Sequence, residues 1–78
     1  MQNKTFSISE VSQMTGVSKN RIREWNEKGF LPSVQMISVG SRLHRRFTYA
    51  DTELIERIRE YLEQGYVLPV AVEKAREK

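Results

Sequence analysis

The sequence predicts a mostly α protein with a small β-hairpin, arranged as a winged helix-turn-helix: two helices, a hairpin wing, then two further helices. Three observations carry this prediction. Two short amphipathic segments meet through Gly16-Val17-Ser18. A stretch rich in β-branched and apolar residues, broken at Gly40-Ser41, follows them. A long apolar stripe at helical spacing then runs from Leu54 to Leu62.

The first helix is expected over about 8–15. Ser7 and Glu10 form an S-x-x-E capping box, in which hydroxyl and carboxylate each satisfy a backbone N–H of the first turn. Phe6 and Val11 flank it as a hydrophobic staple, and Ile8, Val11 and Met14 make an apolar stripe. Gly16 follows the last turn, where a left-handed cap suits a residue without Cβ. The second helix starts behind Ser18, a good N-cap, with Val17 and Ile22 as its staple. Ile22 and Trp25 share the inward face, while Asn20, Arg23, Glu24 and Glu27 share a polar one. Gly29 closes this helix and Pro32 prevents its resumption, so the helix-turn-helix covers about 8–28.

The segment VQMISVGSRLHRRF, about 34–47, reads as two strands of about five residues around a Gly turn. Its second arm carries Arg42, Arg45, Arg46 and the sole histidine, His44. Thr48 and Asp51 form a T-x-x-D cap for a third helix over about 49–64, and Glu53 and Arg57 add an i, i+4 pair. Gly65 ends it. Leu68, Ala71, Val72 and Ala75 give a short fourth helix over about 68–77 a thin apolar face, with Pro69 tolerated in its first turn. Phe47, Leu54, Ile58 and Leu62 are expected in the core, and Tyr49, Tyr61 and Tyr66 in the seam between helices.

A chain of 78 residues is one domain, too small for a deep catalytic cleft. No cysteine is present, so neither a disulfide framework nor a cysteine-based zinc site is available, and His44 alone cannot bind a metal. No Ser/His/Asp constellation, phosphate-binding Gly loop or carboxylate pair in an apolar setting points to catalysis or to a cofactor. No apolar run suffices to span a bilayer, and MQNKTFS lacks the apolar core of a signal peptide, so the expected address is the cytosol. Charge is uneven: residues 1–47 hold eight Lys/Arg against three Asp/Glu, and residues 48–78 five against seven. A basic half beside a slightly acidic one reads as a footprint for a polyanion. A chance fluctuation over a short chain is the bland alternative.

The stretch GVSKNRIREWNEKGFLP, with RRFTYAD and EYLEQGYVL further on, resembles the DNA-binding domain of the MerR family of bacterial regulators. That family shows a G-V-x-x-x-x-I-R-x-aromatic run, then G-L-hydrophobic-P, a basic wing, and a third helix ending in a Gly-aromatic-x-Leu corner. The resemblance covers roughly residues 6–75. It implies that Ile22 is the buried residue of a recognition helix, that Arg23 contacts DNA backbone, and that Trp25 belongs to an aromatic pair. Glu24 stands where the first aromatic of that pair would be. In the wing, Arg45 and Phe47 match the arginine and aromatic of a G-Y-R-x-Y pattern, with Leu43 and His44 in place of its Gly and Tyr. The hairpin is about three residues longer than usual.

Physical chemistry supports the same residues. A recognition helix fits a B-DNA major groove about 12 Å wide, and its first turns reach the base edges. Ser18, Lys19, Asn20, Arg21 and Arg23 occupy that end, where the helix dipole also favours phosphate. Asn can pair with adenine and Glu24 can accept from a cytosine amino group. Arg42, His44, Arg45 and Arg46 suit an adjacent minor groove or its phosphates. For each, the alternative is an ordinary solvated face, weakest as an explanation for Arg23 and Arg45. Trp25 reads as mainly core, its indole N–H a candidate donor to phosphate. Arg23, Arg45, Asn20 and Glu24 are expected outside the core, so that truncating them leaves stability unchanged.

The expected function is sequence-specific binding of double-stranded DNA in bacterial transcription control. A small architectural DNA-binding protein, of the excision or chromosome-anchoring kind, is the first alternative, and a protein-interaction module the second. MerR-like regulators dimerise through a long helix behind the winged domain, and Lys78 falls where it would begin. This chain is therefore expected to be a monomer, pairing only on DNA or through a segment of a longer parent.

Overall fold

The computed structural model describes residues 4–77. Lys78, the expected start of a dimerising helix, lies outside the described residues, as do residues 1–3. Seven elements follow one another: β1 (Thr5–Phe6), α1 (Ile8–Thr15), α2 (Lys19–Glu27), β2 (Gln35–Val39), β3 (Arg42–Thr48), α3 (Tyr49–Glu63) and α4 (Leu68–Glu77). This is a winged helix-turn-helix, four helices with a three-stranded antiparallel sheet in the order β1-β3-β2.

The caps operate as their spacing requires. Ser7 N–H donates to Glu10 Oε1 at 2.8 Å, and Glu10 N–H donates to Ser7 Oγ at 3.2 Å. Gly16 takes φ 77°, left-handed, and its N–H donates to the Ser12 carbonyl. The turn into α2 has further ties. The Ser12 hydroxyl donates to the Val17 carbonyl at 2.7 Å, and Val17 N–H donates to the Thr15 hydroxyl at 3.2 Å. These bonds hold α2 at a set angle to α1. Arg21 N–H then donates to the Ser18 hydroxyl, starting α2.

The sheet departs from the expected hairpin in one respect. Thr5 and Phe6 pair with Thr48 and Phe47, adding a short third strand beside β3. β2 pairs with β3 from Gln35↔Arg46 to Val39↔Arg42, leaving a two-residue loop at Gly40-Ser41. Gly40 has φ 62°, as the primed turns of such hairpins demand at their first central residue.

The core lies where α1, α2, α3, α4 and the base of β3 converge. Val11, Ile22, Trp25, Phe47, Ile55 and Ala71 are buried there. Leu54, Tyr61 and Leu62 pack against it half-buried, rather than inside it as Leu54 and Leu62 were expected to do. Two expectations fail outright. Tyr49 is 62% exposed rather than in a helix seam, because it occupies the first position of α3 on the solvent side. Met14 is 43% exposed, and the buried residue of that turn is Thr15, whose hydroxyl donates to the Val11 carbonyl. A polar side chain enters the core there because the helix's own backbone satisfies it.

Tyr61 and Tyr66 do meet, edge to face, with ring centroids 5.7 Å apart at the corner between α3 and α4. Lys74 lies 4.9 Å over the Tyr66 ring, closing that corner from α4.

Candidate nucleic-acid interface

The outer face of α2 is built by its inner one. Ile22 and Trp25, three residues apart, are driven into the core and fix the helix's rotation. That rotation turns Lys19, Asn20, Arg21 and Glu24 to solvent, with Arg23 half-buried at the margin. Trp25 is 2% exposed, so its ring has no free face for stacking on a base. Its contribution is to aim the helix from inside.

Among the described residues, Lys19, Arg21 and Arg23 have no acidic partner within 4 Å. The acids of α2 are engaged at its other end. Glu24 meets Lys28 at 3.6 Å, and Glu27 meets Arg45 at 3.4 Å. Positive charge is thereby left at the N-terminal end, where the first N–H groups also point. Arg23 Nη1 donates to Asn20 Oδ1 at 3.1 Å, steadying the amide while leaving its NH2 and a second lone pair available.

The wing divides its cations by strand alternation. Arg42, His44 and Arg46 fall on one face of β3, and Leu43, Arg45 and Phe47 on the other. Phe47 is core, so Arg45 projects toward α2, where its Nε donates to Asn26 Oδ1 at 2.8 Å. Arg45 is thus a bridge between wing and α2 rather than a free surface arginine, and its side chain is 27% exposed. Arg46 is also engaged: its Nε donates to the Thr5 hydroxyl and its Nη2 to the Thr5 carbonyl, both at 3.1 Å. It fastens β1 to the sheet. Arg42 and His44 are exposed on the outer face of the wing.

One residue beyond the expected set joins this surface. Arg59 of α3 lines a shallow recess with Gly16, Val17 and Arg21, beside the turn that precedes α2. Its Nη1 donates to Glu63 at 2.9 Å, while its Nε is buried and unbonded. Nothing local in the sequence places Arg59 beside Arg21.

The fold, an exposed basic helix end behind a helix-turn-helix corner and a wing with outward cations together define a winged-helix DNA-binding domain. A family model described as MerR HTH family regulatory protein matches residues 6–78. The chain belongs to that family, and it carries a DNA-binding regulator domain. A search of curated proteins found no significant match.

Proposed function

We propose that this protein binds double-stranded DNA sequence-specifically as a bacterial transcriptional regulator, with α2 in the major groove and the wing on the adjacent minor groove or its phosphates. The observation that carries the reading is the N-terminal end of α2, where Lys19, Asn20 and Arg21 are exposed and the acids of the same helix are paired elsewhere. Arg23 and Arg42 set register on phosphates, and Asn20 and Glu24 read base edges. Arg45 acts chiefly through its hold on Asn26, keeping the wing at its angle to α2. The activity is binding, without catalysis, and its setting is the bacterial cytosol, on the nucleoid.

The chain acts as a monomer in dilute solution and pairs on DNA. Support comes from α3 and α4, whose apolar residues Ile55, Ile58, Ala71, Val72 and Ala75 are all turned into the core. The fully buried apolar positions of both helices are thus spent inside the fold and not on a coiled-coil seam. Sedimentation equilibrium at micromolar concentration should return a monomer mass, and a tight dimer would contradict this.

Titration of duplex DNA at two or more salt concentrations tests the reading. Each neutralised phosphate contributes about −0.9 to the log–log slope, so Lys19, Arg21, Arg23 and Arg42 together should produce a slope of about −3.6. Absence of duplex binding at low salt would sink the proposal.

A further inference from the structure

The strand order leaves β2 as the outer edge of the sheet, with one side of its backbone unpaired. Its residues, Gln35-Met36-Ile37-Ser38-Val39, are all exposed. They include no charge and no proline, and the pairing with β3 runs one-to-one without a bulge. Proteins usually protect such an edge with lysine, proline, a bulge or a covering loop. Among the described residues this edge has none of these. Met36 and Val39 are 52% and 60% exposed, so the side chains above and below the free backbone are apolar as well.

We propose that the free edge of β2 is a self-association surface, pairing antiparallel with β2 of a second copy about a two-fold axis through Ile37. Strand geometry selects this register. Residues flanking a two-residue loop form a hydrogen-bonded pair, so Val39, Ile37 and Gln35 bond inward to β3. The N–H and C=O groups of Met36 and Ser38 therefore point outward. With Ile37 on the axis, Met36 of each copy faces Ser38 of the other, and about four interchain hydrogen bonds close. The two Ile37 side chains then meet on the axis as a close, non-hydrogen-bonded pair.

Charge argues for a second copy as the occupant. Cations cover the outer faces of α2 and β3, so two copies repel wherever those faces meet. The β2 edge carries no charge, so two copies can approach there without that repulsion. An acidic or basic partner strand would gain nothing from an edge without charge, whereas the edge is complementary to itself. Because the two-fold axis stands perpendicular to the sheet, both copies present Arg42 and His44 on the same side. The contact is small, so it forms where effective concentration is high, as between neighbours on one duplex. That setting rests on the DNA reading above, but the pairing itself can be tested without it.

The chain lacks cysteine, so a single introduced thiol reports the register. Ile37→Cys places two thiols on the axis with Cα atoms about 4.5 Å apart, within reach of a disulfide. Val39→Cys places them on the same edge but well off the axis, and Tyr49→Cys is exposed elsewhere. Each variant is oxidised with copper phenanthroline, with and without a mixed-sequence duplex long enough for two copies, and covalent dimer is followed on non-reducing gels. Ile37→Cys should cross-link roughly tenfold faster than either control. Adding Ser38→Pro, which removes an outward N–H but no bond to β3, should return it to the control rate, with circular dichroism confirming that the fold persists. Equal rates for all three thiols, with and without duplex, would overturn the proposal. Slow cross-linking beside intact duplex binding overturns the edge alone. Rapid, register-specific cross-linking without any duplex binding supports the edge and removes the DNA reading instead.

Discussion

Replacing Arg45 with alanine tests whether this side chain is a free contact or a brace. Its Nε donates to Asn26 Oδ1 at 2.8 Å in a part-buried setting, and its Nη2 lies 3.4 Å from Glu27 Oε2. A hydrogen bond involving a charged group contributes about 1.5–3 kcal/mol when well buried, and partial exposure reduces that toward about 1 kcal/mol. The Glu27 contact adds at most a few tenths, since the Glu27 side chain is 62% exposed and solvent screens the pair. Loss of the arginine should therefore destabilise the fold by about 1–1.5 kcal/mol, a fall in Tm of about 5–10 °C for a domain of this size. Thermal unfolding by circular dichroism measures the change. Asn26→Ala and the double variant complete a cycle whose coupling term should be about 0.5–1 kcal/mol. An unchanged Tm for Arg45→Ala, or a coupling term near zero, would refute the brace. Arg45 would then be the free DNA-facing arginine outside the core that its sequence context suggested. If the brace holds, Arg45→Ala should also weaken DNA binding, because the wing loses its fixed angle to α2.

Arg23→Ala should weaken cognate and scrambled duplexes alike and reduce the salt slope by about one, whereas Asn20→Ala should cost about 1–3 kcal/mol on the preferred sequence and relax preference at one base pair. Competition titrations against both duplexes separate the two, and identical behaviour of the variants would contradict the division between positioning and reading. Asp51 is 1% exposed and accepts from both the N–H and the hydroxyl of Thr48, so Asp51→Ala should cost about 1–3 kcal/mol in urea unfolding by stranding that N–H. Gly16→Ala meets no atom within 4 Å but places a Cβ at φ 77°, and should cost about 1–2 kcal/mol. A neutral result there would mean that the turn before α2 relaxes out of the left-handed region.

What the sequence determined by itself is the set of features written within one or two helical turns. Ser7 with Glu10, Ser18 with the Arg21 N–H, and Thr48 with Asp51 are all partners three residues apart. Ile22 with Trp25 and Ile55 with Ile58 set their helix faces by the same short spacing. The winged helix-turn-helix order and the exposed basic end of α2 follow from such local signals, because caps and stripes act between residues that the helix itself brings together. Tertiary structure alone decided which arginines are engaged. Arg45 and Arg46 stand side by side in sequence, yet strand alternation sends one to Asn26, 19 residues back, and the other to Thr5, 41 residues back. The pairing of Thr5 and Phe6 with β3 and the meeting of Arg59 with Arg21 are of the same kind. A guanidinium reaches several ångströms in any direction, and its partner is whichever acceptor the packing of distant segments sets within that reach. Residue spacing carries no record of that choice. The burial of Thr15 in place of Met14 has the same origin, since several rotations of α1 satisfy its stripe and only contact with the other helices selects one.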